Sequence, residues 1–191
     1  MIDTSDSFSN TDACSDLGAS AADRPMHKIL ISTGSNIDKD KHTQAGFDQL
    51  ADAFDNISVS SVFESQSVGF KGDTFYNAVV SAETDMSLSQ VCDVLKAIET
   101  KNGRVRQAEK FSSRTLDLDL LCFDNMVCDN PIVLPREEIL FNAFVLQPLA
   151  ELVPEDIHPV VQKTYAQLWE DYDKSKQKLW ISDFTWSRDP Q

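Results

Sequence analysis

The amino-acid sequence predicts an α+β fold, a ferredoxin-like β-α-β-β-α-β sandwich elaborated at its C-terminus. Apolar residues recur at helical spacing in two separate windows, 43–54 and 88–100. Extended segments stand before, between and after them, at 28–33, 57–64, 75–83 and 114–121, which is the order of a split β-α-β unit. A length of 191 residues, 41% of them hydrophobic, suits one domain with tails.

Residues 1–25 hold five Asp, five Ser and a single Arg, with few large apolar groups, and are expected to form a disordered acidic, Ser-rich tail. The domain proper is expected over 26–172. Its first strand leads to a helix whose stripe is Phe47, Leu50, Ala51 and Phe54. A second strand, a polar Gly-containing loop over 65–74 and a third strand follow. In the second helix Val91, Leu95 and Ile98 point inward and Ser87 is a suitable cap. Beyond the acidic strand, Tyr165, Leu168 and Trp169 suggest a further helix. Residues 173–191 form an extension in which Trp180, Ile181, Phe184 and Trp186 either dock on the core or meet a partner.

The most informative segment is Arg114-Thr115-Leu116-Asp117-Leu118-Asp119-Leu120-Leu121. Its period-two alternation marks a strand with Leu116, Leu118 and Leu120 on one face and Asp117 and Asp119 on the other. Carboxylates at i and i+2 stand roughly 6–7 Å apart, a spacing that suits divalent cations bound by oxygen at a phosphoryl-transfer centre. A solvated acidic edge is the plainer alternative. Just upstream, Lys96, Lys101, Arg104, Arg106, Lys110 and Arg114 face only Glu99 and Glu109, a local balance of +4 in a chain of net charge −14. Acids to hold a metal beside forked cations to neutralise phosphate oxygens are what a metal–polyphosphate complex requires.

Composition excludes other classes. The acidic balance argues against nucleic acid as a partner, and no apolar run reaches membrane-spanning length. The N-terminus lacks a basic region followed by an apolar one, and Cys14, Cys92, Cys122 and Cys128 have neither metal-ligand nor redox spacing. A cytoplasmic protein with free thiols is expected. His27, His42 and His158 are read as surface or structural residues.

Gly103-Arg104-Val105-Arg106 followed by Arg114-Thr115-Leu116-Asp117-Leu118-Asp119 resembles the signature of the 6-hydroxymethyl-7,8-dihydropterin pyrophosphokinase family of folate biosynthesis. Ile29-Leu30-Ile31-Ser32-Thr33-Gly34-Ser35-Asn36, Ser60-Ser61-Val62-Phe63, Val68-Gly69, Phe75-Tyr76-Asn77-Ala78-Val79 and Phe144-Val145-Leu146-Gln147-Pro148-Leu149 resemble other family motifs in the expected order, over residues 28–171. The resemblance implies the same core fold. It also implies an ATP-dependent transferase that moves pyrophosphate from ATP to the pterin hydroxymethyl group and releases AMP.

Carried over by position, the resemblance implies that Asp117 and Asp119 hold two Mg2+ ions between ATP, the co-substrate, and the pterin. Arg104 and Arg114 would contact the triphosphate and share in catalysis. Arg106 lies in the same loop, and Lys110 and Phe111 occupy positions where the best-known members have Arg and Trp. Glu99 matches a glutamate of the nucleotide pocket. Asn77 matches the amide that reads the pterin ring, and Phe75 and Phe144 match the aromatics that sandwich it. Ser65, Gln66 and Val68 fall in the loop that completes that pocket. Each has a plainer alternative: Phe75 and Phe144 as core, Asn77 closing a turn, Glu99 pairing with Lys96. The partners implied are a small-molecule pterin and ATP, with no nucleic acid and no membrane, and the chain is expected to be a monomer.

The chain departs from the family around the nucleotide. Pro135-Arg136-Glu137-Glu138 stands where a His-Pro-Arg-like motif is usual, so the expected His is Arg136, itself a candidate phosphate ligand. Asn142 replaces an Arg before Ala143-Phe144, Lys96 a common Gln, and Ser65-Gln66-Ser67 a Pro-rich turn. Two other readings stay open: a divergent paralogue that binds a pterin without transferring pyrophosphate, and a metal-dependent phosphoryl or nucleotidyl transferase with another acceptor on the same scaffold.

Overall fold

The computed structural model describes residues 25–66, 73–103 and 114–188. Among these the chain forms a six-stranded antiparallel sheet with helices on both faces. The elements run β1 (His27–Ser35), α1 (Lys39–Ala53), β2 (Asp55–Val59), β3 (Phe63–Ser65), β4 (Phe75–Thr84), α2 (Leu88–Lys101) and β5 (Asp117–Phe123). A short 3-10 helix (Glu137–Leu140), α3 (Ala143–Leu152), α4 (Tyr165–Asp171) and β6 (Leu179–Ile181) complete them. The strand order is β5-β1-β4-β3-β6, with β2 also paired to β4. The expected ferredoxin-like order is therefore present, with α3, α4 and β6 added. No helix among the described residues is long and apolar enough to cross a membrane.

Both faces of β1 are covered, which is why Ile29, Leu30 and Ile31 are buried in succession. On one face α1 and α2 bring Phe47, Leu50, Val91 and Leu95 against Ile29, Ile31, Val80, Leu116 and Leu118. On the other, α3 and α4 bring Val145, Leu146, Leu149 and Tyr165 against Leu30, Val79, Leu121 and Cys122. Gly46 allows α1 to lie close to the root of β5, since a Cβ there would come within 3.0 Å of the Leu116 side chain. Ser87 opens α2 through a reciprocal capping box with Gln90, as its sequence position suggested.

The leucine face of the acidic strand is as expected: Leu116, Leu118 and Leu120 are buried on the α1–α2 side. A register shift against Leu30 and Ile31 then inserts one extra residue in β5, so that Leu121 and Cys122 both turn toward α3. Asp117 and Asp119 share that second face, beyond the end of the apolar layer.

Three boundaries differ from the sequence reading. The strand expected over 57–64 is two strands, because Ser60 intervenes with its side chain. Its Oγ accepts from the Val79 N–H (3.0 Å) and donates to the Ser61 carbonyl (2.8 Å). The acidic strand begins at Asp117 rather than Arg114, since the Arg114 carbonyl instead receives the N–H groups of Asn36 and Ile37. α1 begins one turn early, at Lys39. The aromatic extension docks on its own domain. β6 pairs with the exposed edge of β3, and Phe184 and Trp186 lie 6.3 and 5.8 Å from the Phe47 ring.

Candidate active site

Four adjacent strands, β5, β1, β4 and β3, present the candidate residues on one face. Gly34 of β1 pairs with Asp117 on one side and Asn77 on the other, while Ser32 pairs with Asp119. On β4, Phe75 and Asn77 share this face, and Ser65 of β3 pairs with Phe75. α3 starts beyond the ends of these strands and carries Phe144. The space between sheet and helix is a cavity of about 570 Å³ lined by Ser65, Gln66, Phe75, Asn77, Arg114, Asp117, Asp119, Arg136 and Phe144. Nine sequence-predicted residues thus meet in one place. A second cavity of about 410 Å³ opens on the α2 side and is lined by Glu99 and Lys96 together with Asp119 and Arg136. These last two residues belong to both, so the cavities adjoin at the carboxylates.

The acid pair is matched by cations. Arg114 Nη1 donates to Asp117 Oδ2, and Arg136 Nη2 donates to Asp119 Oδ1 at 2.7 Å. Arg136 also lies 3.7 Å from Glu138. Asp119 keeps 44% of its side chain exposed and Asp117 18%, so both remain within reach of a ligand. Among the described residues no group of three or more His, Cys, Asp or Glu could hold a metal alone. Two partly exposed carboxylates where the two cavities adjoin do fit Mg2+, which is commonly held by one or two acids and completes its shell with phosphate oxygens and water.

The aromatic end of the first cavity has a defined polarity. Asn77 Nδ2 donates to Ser65 Oγ (3.0 Å) and to the carbonyls of Phe75 (3.2 Å) and Phe63 (3.4 Å). Two carbonyls on that side identify the nitrogen and commit its hydrogens internally, so the amide oxygen is the group left to accept from a ligand. Phe75 and Phe144 are both half-buried and line this space, and Phe144 also packs against the α3–α4 core.

Glu99 is 5% exposed, and its Oε1 accepts the N–H of Leu118 at 2.9 Å, which fixes the outer edge of β5 to α2. The pairing with Lys96 considered from sequence is not made; Lys96 lies 3.8 Å from Asp93 instead. Burial pushes the thiol of Cys92, on the wall of the second cavity, above its ordinary range, so it stays protonated and is a poor nucleophile. Arg104, Arg106, Lys110 and Val68 lie outside the described residues.

Sequence reasoning missed several wall residues: Ser32, Thr33 and Gly34 of β1, Glu138, Phe141 and Gln177. The Gly34-Ser35-Asn36 motif was recognisable in the sequence as a turn, whereas Gly34 and Ser35 prove to be the last two residues of β1. Phe141, exposed at 55%, was signalled only by its place before the Ala143-Phe144 motif. Gln177 carried no signal.

The chain matches the 7,8-dihydro-6-hydroxymethylpterin-pyrophosphokinase (HPPK) family over residues 30–154. It is similar to the 2-amino-4-hydroxy-6-hydroxymethyldihydropteridine pyrophosphokinase of Synechocystis, 36% identical over 115 residues, which cover 60% of this chain and 58% of that protein. The enzyme of the same name from Pseudomonas aeruginosa is 31% identical over 138 residues, 68% of this chain and 83% of that protein. Among solved structures, Plasmodium falciparum HPPK-DHPS with pteroate superimposes at a TM-score of 0.64 and 12% identity, over 80% of this chain and 44% of that one, a likeness of fold. The matched span holds β1 through α3, the elements that bring Asn77, Asp117, Asp119 and Phe144 to one cavity, and by that match the chain belongs to the 7,8-dihydro-6-hydroxymethylpterin-pyrophosphokinase family.

Proposed function

We propose that this chain transfers the pyrophosphoryl group of ATP to 6-hydroxymethyl-7,8-dihydropterin. One observation carries the reading: an aromatic, amide-lined cavity and a second cavity, apolar-walled with Lys96 and Glu99 on its rim, adjoin at Asp119 and Arg136, beside Asp117. A flat heterocycle in the first and a nucleotide in the second would bring an acceptor hydroxyl and a β-phosphate to the same carboxylates.

In this reading Phe75 and Phe144 hold the pterin ring face to face, and the Asn77 oxygen accepts a ring N–H. Asp117 and Asp119 would hold two Mg2+ ions, which when bound neutralise phosphate charge and make the substrate hydroxyl more acidic. The hydroxymethyl oxygen forms its bond to the β-phosphorus, and the bond from that phosphorus to the oxygen of the α-phosphate breaks. AMP leaves, and the hydroxyl proton passes to solvent. Arg114 and Arg136, released from their carboxylates, stabilise the charge on the phosphate oxygens, a role that Arg104, Arg106 and Lys110 share. Glu99 orders β5 at the nucleotide side, and Ser65, Gln66 and Val68 close the pterin side. Excluding water from the site would favour the pterin hydroxyl over hydrolysis.

The test is release of AMP from ATP and Mg2+ by purified protein, with and without 6-hydroxymethyl-7,8-dihydropterin. AMP formed only with the pterin is expected. Folded protein that binds the pterin but forms no AMP would overturn the reading in favour of a non-catalytic paralogue.

A further inference from the structure

We infer that the chain's C-terminal strap, 172–188, is a working part of the pterin-side cavity, with Gln177 as its positioning residue. The inference rests on the proposed pterin site and concerns residues beyond the family match, which ends at 154.

α3 has no cap of its own, because the side chain of its N-cap residue, Asn142, makes no capping hydrogen bond. Gln177 supplies one from 34 residues away. Its Oε1 accepts the Ala143 N–H at 2.7 Å, and its Nε2 donates to Asn142 Oδ1 at 3.4 Å. The next residue along the helix is Phe144, one wall of the ring pocket, and Gln177 itself lines that pocket. At the root of the strap the Tyr172 hydroxyl donates to the Phe141 carbonyl at 3.0 Å.

The same strap holds the opposite wall. Trp180, three residues past Gln177, donates its indole N–H to Glu64 Oε2 at 2.6 Å. Glu64 Oε1 also receives the Thr74 hydroxyl (2.9 Å) and the Lys39 ammonium, so this carboxylate gathers both ends of the loop that enters from β3 and leaves into β4. Leu179 pairs with Ser65 on the strand that faces Phe75. One short segment therefore ties the Phe144 wall to the Phe75 wall. Two rings clasp a flat ligand only at a defined separation, so a link of fixed length between them sets the geometry of the pterin site.

The experiment uses the full chain with Mg2+ and a non-hydrolysable ATP analogue, and measures 6-hydroxymethylpterin affinity by calorimetry. Gln177→Ala should weaken pterin binding about five- to tenfold, the worth of a lost helix cap. Nucleotide affinity should stay within about twofold, and in turnover the KM for pterin should rise while kcat holds. Gln177→Glu keeps the acceptor for the Ala143 N–H and should restore affinity to within about threefold of the unsubstituted chain. Unchanged pterin affinity in Gln177→Ala would overturn the inference. So would an equal loss of pterin and nucleotide affinity together with a lower Tm, which would make the strap a stabilising element only. Failure of the unsubstituted chain to bind pterin would instead overturn the reading on which the inference rests, and the inference with it.

Discussion

Asp119→Asn separates chemistry from stability most cleanly. Asp119 is 44% exposed, and its ion pair with Arg136 is likewise partly solvated. Exposed pairs contribute about 0–1 kcal/mol, and the asparagine oxygen can still accept from the guanidinium, so Tm should fall by no more than about 2–4 °C. The effect on turnover is of another order. Removing one of two acids at a polyphosphate–metal centre forfeits transition-state charge stabilisation of about 4 kcal/mol, or a thousandfold in rate. The assay is pterin-dependent AMP release beside a thermal melt of the same preparation. Turnover within tenfold of the unsubstituted chain would refute the assignment. A Tm loss above about 10 °C would show that Asp119 acts on folding rather than chemistry.

Other substitutions probe separate parts of the account. Arg136→Ala should raise the KM for ATP roughly tenfold to a hundredfold through loss of a charge-assisted phosphate contact, while Mn2+ binding without nucleotide tightens because Asp119 loses its competing cation. An unchanged KM would remove Arg136 from the phosphate site. Trp186 lies edge-on to Phe47 at 5.8 Å and donates to Asp48 Oδ1 at 3.0 Å, so Trp186→Ala should cost about 2 kcal/mol and lower Tm by about 4–8 °C. A neutral result would mean that the docked extension adds no stability. His158 is 2% exposed, and its Nδ1 accepts from the N–H groups of Val160 and Val161. Burial lowers its pKa from the ordinary 6.5, so the unfolded chain takes up the proton first. The stability it supports is present above about pH 6.5 and lost as pH falls below it. Urea midpoints from pH 7.5 to 5.5 should fall more steeply in the unsubstituted chain than in His158→Gln, and equal slopes would contradict this.

The parts of the site legible in the sequence were those where a local period survives into the fold. Alternation through Leu116–Leu120 identified the carboxylate face because β5 is regular until its extra residue at Leu121. Ser87 announced the start of α2 because an N-cap is a short-range interaction. α3 was not legible as a helix: Pro148 lies inside it, and its apolar residues occur on nearly every side. The break at Ser60 depends on a hydroxyl meeting Val79 from another strand, which no local pattern records. Gln177 was invisible for the same reason, since its role is set by Ala143 and Asn142 across the cavity.

The most direct test of the account is a crystal structure of the chain with Mg2+, a non-hydrolysable ATP analogue and 6-hydroxymethylpterin. The account predicts the ring between Phe75 and Phe144, metal density on Asp117 and Asp119, and the nucleotide in the cavity beside Glu99. A pterin bound elsewhere, or metal density that avoids both carboxylates, would contradict it.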